Sequence, residues 1–274
     1  MSNNKSCIVT ECSIKMNSAK AEKRLAILYS AAALLSVISF ICIITTWQYW
    51  AWTLDSCFET DCNCIFYGVN AFSKLRGGDV KICHFATYAV IPSVLFSIGF
   101  GLYHGYRTCI NKKLSEPKII ARRSVNFSSD EIDGNVVVVT PKSRSPCKHW
   151  TPTTFLAALI TCLSLAHAIV ITDGYYKTCE QYKKRIIHVL GSSGREAVAV
   201  HNRLSCSAIF DYMDYIEPDS NNWRRGDEMN TGLALLFALI SIWSNFIIWI
   251  IIFIINFVMA RQRHRNSSEK SCCC

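Results

Sequence analysis

Residues 231–260 read TGLALLFALISIWSNFIIWIIIFIINFVMA, a stretch without one Lys, Arg, Asp or Glu. About 20 apolar residues carry a helix across roughly 30 Å of hydrocarbon, and at about 1.5 Å per residue this stretch reaches about 45 Å. It must therefore tilt or project from the bilayer at one end, and projection into an outer domain is the expectation. Three further runs share its character, at 25–46, 82–103 and 151–172. In a soluble domain the 51% hydrophobic content of this 274-residue chain would be dispersed at periods of 2 or 3.6. Here it is gathered into blocks, and the sequence predicts an all-α, four-helix transmembrane bundle.

Outward from the spans, charge sorts the remaining segments. Tail 1–24, middle loop 104–150 and tail 261–274 together carry 18 basic against 7 acidic residues, a net +11. Loops 47–81 and 173–230 carry 11 against 13, a net −2, which completes the formal +9 of the chain. Lys and Arg beside a span resist translocation, so both termini and the middle loop are expected in the cytoplasm and the other two loops outside or in a lumen. The chain is thus expected to be integral to the plasma membrane or a secretory-pathway membrane. The first 24 residues are polar and the run after them is too long for a signal-peptide core, so 25–46 reads as a retained anchor. The sequons at Asn4, Asn126 and Asn266 all fall on the cytoplasmic side of this topology, where they go unused. A basic surface beside spans favours anionic lipid, not nucleic acid, as its partner.

The middle loop holds Lys112-Lys113, Lys118 and Arg122-Arg123, then an apolar run at 136–139 that reads as a short docking strand or a poorly ordered segment. Phosphorylation at Thr140-Pro141 or Ser145-Pro146 would weaken its hold on anionic lipid. Arg261, Arg263 and Arg265 are expected to anchor the fourth span. In loop 173–230, Asp211, Tyr212, Asp214, Tyr215, Glu217 and Asp219 precede Trp223-Arg224-Arg225, a surface for a partner or a solvated cap.

Six of the fifteen cysteines, Cys57, Cys62, Cys64, Cys83, Cys179 and Cys206, fall outside or at the outer end of a span. An even number in an oxidising compartment points to disulfides, and these staple the outer cap. Cys62 and Cys64 stand too close in sequence to pair with each other without strain, so each is expected to pair elsewhere. Cys179 and Cys206 flank a plausible helical hairpin, residues 180–190 and 195–204 around a turn at 191–194, and pairing them would staple the second outer loop. A zinc site fits poorly, because Cys-x-Cys lacks the usual ligand spacing and no His pair accompanies it. On the cytoplasmic side, Cys109 just past the second span and Cys272, Cys273 and Cys274 at the end of the chain are candidates for lipidation. Ser271 occupies the fourth position from the end, so the terminus is not a prenylation box.

Within the spans, His84 stands at the outer boundary and can face water, while His167, Asn245 and Asn256 are expected to form interhelical hydrogen bonds, with a transport pathway as the alternative. Ala89, Ser93, Ser97 and Gly101 recur every four residues along span two and form a helix-packing stripe. Pro92 kinks the same helix. Span one offers a second seam at Ala31, Ala32, Ala33, Ser36 and Ser39. Trp47, Trp50 and Trp52, with Tyr103 and Tyr106, read as interfacial anchors. No nucleotide-binding loop, nucleophile elbow or zinc-protease motif occurs, so no catalytic, cofactor-binding or metal-binding residue is assigned.

Loop one carries Cys64-Ile65-Phe66-Tyr67-Gly68, Cys83-His84-Phe85 opens span two, Cys179 follows span three, Cys206 lies further on, and Trp243 and Trp249 sit in span four. This arrangement resembles the transmembrane protein 179 family, small four-span proteins without an established biochemical activity. The resemblance implies that Cys64, Cys83, Cys179 and Cys206 form the paired set. The expected function is a non-enzymatic scaffold or auxiliary subunit that binds other membrane proteins, with an oligomeric pore-forming or transport subunit as the alternative.

Overall fold

A computed structural model describes residues 18–55, 57, 61–71, 74–110, 118–121, 137–140, 149–191, 193–216 and 229–271. Four long apolar paths run through it: α1 (Ser18–Leu54), the pair α2 (Val80–Tyr88) and α3 (Ile91–Gly105), α4 (Trp150–Val189) and α7 (Thr231–Ser271). Between them lie two small sheets, β1 (Cys64–Asn70) with β2 (Leu75–Gly78) and β3 (Lys118–Ala121) with β4 (Val137–Thr140), and two short helices, α5 (Arg195–Arg203) and α6 (Cys206–Ile216). The chain is an integral membrane protein with a four-helix bundle. Its outer faces carry Ile27, Leu34, Ile41, Phe237, Ile247 and Ile254, large side chains left exposed in a way that only lipid tolerates.

Side-chain partners give the directions. Glu22 meets Arg107, Ser36 meets Ser93 and Trp50 meets Thr231, so α1 runs antiparallel to both α3 and α7. Trp243 bonds Thr172, near the cap side of α4. α1 packs on α3 and α7, and α7 packs on α4, while α3 and α4 barely touch. The end that holds the start of α1 and the end of α7 is the tail side, and the opposite end carries the cap.

The helices outrun the apolar blocks. α1 begins at Ser18 and reaches Leu54, and α4 continues from the membrane through residues 173–189 without a break. In that extension, Asp173 pairs with Lys177 at 2.9 Å and Glu180 with Lys184 at 3.4 Å, one helical turn apart, the spacing that supports helix in water. The first arm of the expected hairpin is therefore the end of α4, and the turn at Gly191 and Gly194 leads into α5. The added turns also bring carboxylates onto span helices. Glu22, fully buried, receives two hydrogen bonds from Arg107 at 3.1 and 3.4 Å. The apolar run at 136–139 supplies most of β4, whose antiparallel partner β3 had no counterpart in the sequence reading.

Two expectations about tryptophan change. Trp47 and Trp50 are buried, and only Trp52, 87% exposed, points outward. Because α1 continues to Leu54, Ile43, Trp47, Trp50 and Leu54 share one face and enter the core beneath the cap. Asp214, expected on an acidic surface, is likewise buried.

The second path breaks at Ala89 and Val90, ahead of Pro92 in the first turn of α3. Proline has no N–H to give and clashes with the preceding turn, so the helix restarts. Next to this break, His167 on α4 donates its Nε2–H to the carbonyl of Ala86 at 2.7 Å. Deeper in the bundle, Ser93 of α3 is the common partner of side chains on α1 and α7. Its hydroxyl accepts from Trp249 Nε1 at 2.8 Å and Asn245 Nδ2 at 3.4 Å, which leaves its own proton for Ser36, 3.0 Å away. Ser97 is fully buried on the same stripe, and Gly101 lets α3 approach Tyr29 of α1, whereas Ala89 falls at the break. Asn256 donates to the Tyr29 hydroxyl at 3.4 Å and to the carbonyl of Ile252 at 2.9 Å.

Lipid chains give helices no hydrophobic reason to associate, so close packing and these bonds hold the bundle together. Ser93→Ala strands the donors of Trp249 and Asn245, and thermal unfolding in mild detergent should show a loss of about 1–2 kcal/mol. Ser97→Ala, on the same stripe but with a hydroxyl that has no hydrogen-bond partner among the described residues, should change stability less.

Candidate functional site

Above the bundle, three disulfides tie the cap. Cys57 pairs with Cys62, Cys64 with Cys83, and Cys179 with Cys206, at Cα separations of 5.9, 5.5 and 5.5 Å. Cys64–Cys83 joins β1 to the start of the second span, and Cys179–Cys206 joins the projecting part of α4 to α6. The loops they close are 19 and 27 residues apart in sequence, against 5 for Cys57–Cys62. Chain-entropy arguments give the two longer loops about 3 kcal/mol each and the short one about 2.

β1 lies against α4, and the sequence builds the contact from small and hydroxyl residues. Gly174 faces β1, where a Cβ would stand 2.8 Å from the Tyr67 ring and 2.9 Å from Phe66 Cβ. One turn further, the Thr178 hydroxyl donates to the carbonyl of Ile65 and accepts from the N–H of Gly68, both at 2.9 Å. Gln181 accepts from the N–H of Asn70 at 3.4 Å. The pairing of β1 with β2 shifts register between Cys64 and Val69, so helix side chains take the backbone groups that the ladder leaves.

Tyr67 sits at this shift with φ +60°, the left-handed region that side chains other than glycine rarely occupy. Its hydroxyl donates to Asp173 at 2.7 Å, and Lys177 lies 5.0 Å above its ring while pairing with the same carboxylate. Burial, together with the hydrogen bond to Asp173 and the charge of that carboxylate, pushes the Tyr67 phenol up to about 12.

The second junction joins α1, α6 and α7. Asp214 of α6 is 3% exposed and accepts from the Thr231 N–H at 2.8 Å and from its hydroxyl at 2.6 Å. Thr231 in turn accepts from Trp50 Nε1 at 2.8 Å. A carboxylate at the first turn of α7 meets unpaired N–H groups and the positive end of the helix dipole. Asn230 adds a cap by accepting from the N–H of Leu233 at 2.7 Å.

The face turned away from the bundle is different. α5 buries none of its residues, and Val189, Leu190, Val198 and Tyr215 stand more than half exposed or nearly so around the cap. Among the candidate residues, the structure joins the six outer cysteines into the cap and places Cys109 exposed and free beyond α3. Cys272, Cys273 and Cys274 lie outside the described residues, as do Glu217, Asp219 and Trp223-Arg224-Arg225. Among the described residues no group of three metal-ligating side chains occurs. Sequence reasoning missed Trp50, Asp214 and Thr231 as a unit. The spacing of Ile43, Trp47, Trp50 and Leu54 was the available signal for the first of them.

Asp214→Ala leaves two donors of Thr231 unpaired and should cost about 1–3 kcal/mol, read as earlier thermal unfolding and faster proteolysis in the cap. For Tyr67 the sign follows from its raised folded pKa. Its contribution is fully present below the ordinary tyrosine value near 10 and is lost as pH climbs through about 12. The stability difference between wild type and Tyr67→Phe should therefore be largest below pH about 10 and shrink between about 10 and 12. A difference that stays constant across that window would contradict the assignment. Comparison with protein-family models, curated proteins and solved structures finds no match, so the functional reading rests on this geometry.

Proposed function

We propose that this chain is a non-enzymatic scaffold or auxiliary subunit that binds other membrane proteins through its cap. The observation that carries the reading is a cap fixed to the bundle at two junctions, β1 on α4 and Asp214 on Thr231, which presents α5 with no buried residue of its own. A rigid base with a free apolar and basic face is what a docking partner needs, because little of the binding energy then goes into ordering it. Val189, Leu190 and Val198 supply the apolar part, and Arg195 and Arg203 flank it.

The charge asymmetry supports an orientation with the cap outside or in a lumen and both termini in the cytoplasm, where the basic segments meet anionic lipid. The exposed, free Cys109 beyond α3 supports acylation on that side. Membership of the transmembrane protein 179 family belongs to the same proposal, on the placement of Cys64, Cys83, Cys179 and Cys206.

Affinity purification from membranes in mild detergent, followed by mass spectrometry and native sizing, tests the proposal. Unlike membrane proteins should co-purify, and Leu190→Asp with Val198→Asp should reduce their recovery while leaving the disulfides and thermal unfolding unchanged. A homomeric ring that conducts ions in liposomes, with no unlike partner, would establish the pore instead.

A further inference from the structure

α2 and α4 touch beside the break in the second path, where His167 holds Ala86, and the last turn of α3 meets the start of α4 at the tail side, where Tyr103 and His104 face His149 and Trp150. Between α3 and α4 lies a cavity of about 330 Å³. Its deeper part is formed by Leu95, Phe96 and Gly99. Its other end, at the last turn of α3 and the start of α4, is formed by Tyr103, His104, His149 and Trp150. Leu95 is 65% exposed, so the mouth lies on a face of α3 that lipid covers. The volume falls in the range of small-molecule sites, roughly 300–1,000 Å³.

Three features define what fits. Among the described residues no Lys, Arg, Asp or Glu lines the cavity, which disfavours a charged headgroup. The walls are flat: Phe96 and Phe100 stack at 6.2 Å, and His104 lies parallel to Tyr29 at 5.9 Å and tilted against Trp150 at 6.1 Å. Gly99 keeps the deeper part empty, since a Cβ there would meet nothing within 4 Å. The decisive feature is polar. His104 is 2% exposed, and its Nδ1 has no hydrogen-bond partner among the described residues. A buried nitrogen left unpaired is costly, and a ligand hydroxyl would recover that cost.

We propose that this cavity binds a sterol, its ring system between α3 and α4 and its hydroxyl hydrogen-bonded to the His104 imidazole. The polar end of the cavity stands at the helix ends and the apolar part lies about two turns deeper, the order in which a sterol lies in a leaflet. Nδ1 lies beneath the cavity surface, so the ring turns about χ2, a soft torsion, to meet the hydroxyl. A flat lipid with one neutral hydroxyl satisfies the nitrogen, the flat walls and the uncharged lining together. An acyl chain satisfies only the last.

The test uses the full chain in phosphatidylcholine vesicles with a photoreactive cholesterol probe. Labelling should be saturable and should map to residues 95–104 and 149–153. Cholesterol should compete about fivefold better than cholestane, the same skeleton without the hydroxyl, which is the worth of one hydrogen bond. Gly99→Leu should fill the cavity and cut labelling about fivefold. His104→Phe should keep the stack yet erase the preference for cholesterol over cholestane. Label spread evenly over the lipid faces of α1 and α7, equal competition by cholestane, or equal competition by a fatty acid would each overturn the proposal. Should Gly99→Leu misfold, the wild-type label map and the competitor pair decide the question without it.

Discussion

One hydroxyl joins the cap helix α6 to two helices of the membrane bundle. Thr231 donates to Asp214 and accepts from Trp50, so its oxygen lies between α6, α1 and the first turn of α7. Each group there has a partner because the others are in place. Asp214 could not lie buried without donors, the first turn of α7 could not end beneath a cap without an acceptor, and the Trp50 indole could not enter the core with its N–H unused. The rest of the cap follows from this junction. α6 is fixed by Asp214, Cys206 on α6 brings Cys179 of α4 to it, and the same stretch of α4 carries Gly174 and Thr178 against β1.

Below the cap the same accounting continues with fewer resources. Hydrocarbon offers no hydrogen bonds, so a polar side chain on a span gains from a partner on another helix or on its own backbone. Ser93, His167, Trp243 and Asn256 do so at separate levels along the bundle. At the tail-side end Glu22 and Arg107 pair full charges between two span helices, where the π-helical turn Tyr106–Ile110 widens the end of the second path. These contacts fix register between helices whose apolar faces would otherwise slide freely.

The spans were legible because hydrocarbon thickness sets a length that few soluble segments reach, and the break at Ala89 was legible because Pro92 has one physical meaning inside a helix. The six outer cysteines were legible as a disulfide set, though pairing Cys57 with Cys62 needed the fold. What the sequence could not reveal depends on contacts across more than a hundred residues. Nothing near Thr178 announces that its hydroxyl bridges two backbone groups of β1, and nothing near Tyr67 announces the left-handed backbone that aims it at Asp173. Trp47 and Trp50 misled for a local reason. Aromatics at a span end usually mark the interface, and only the continuation of α1 to Leu54 turns them inward.

The continuity of α4 has a mechanical consequence. One unbroken helix of 40 residues runs from Trp150 on the tail side to Val189 beyond the cap. It behaves as a lever about 60 Å long, so a change of tilt of about 10° displaces its far end by about 10 Å. β1 and α6 are fastened to this lever by hydrogen bonds and by Cys179–Cys206, and they link it to the other spans through Cys64–Cys83 and Asp214. A change of tilt at one membrane surface would therefore be felt at the cap on the other without any loop having to refold.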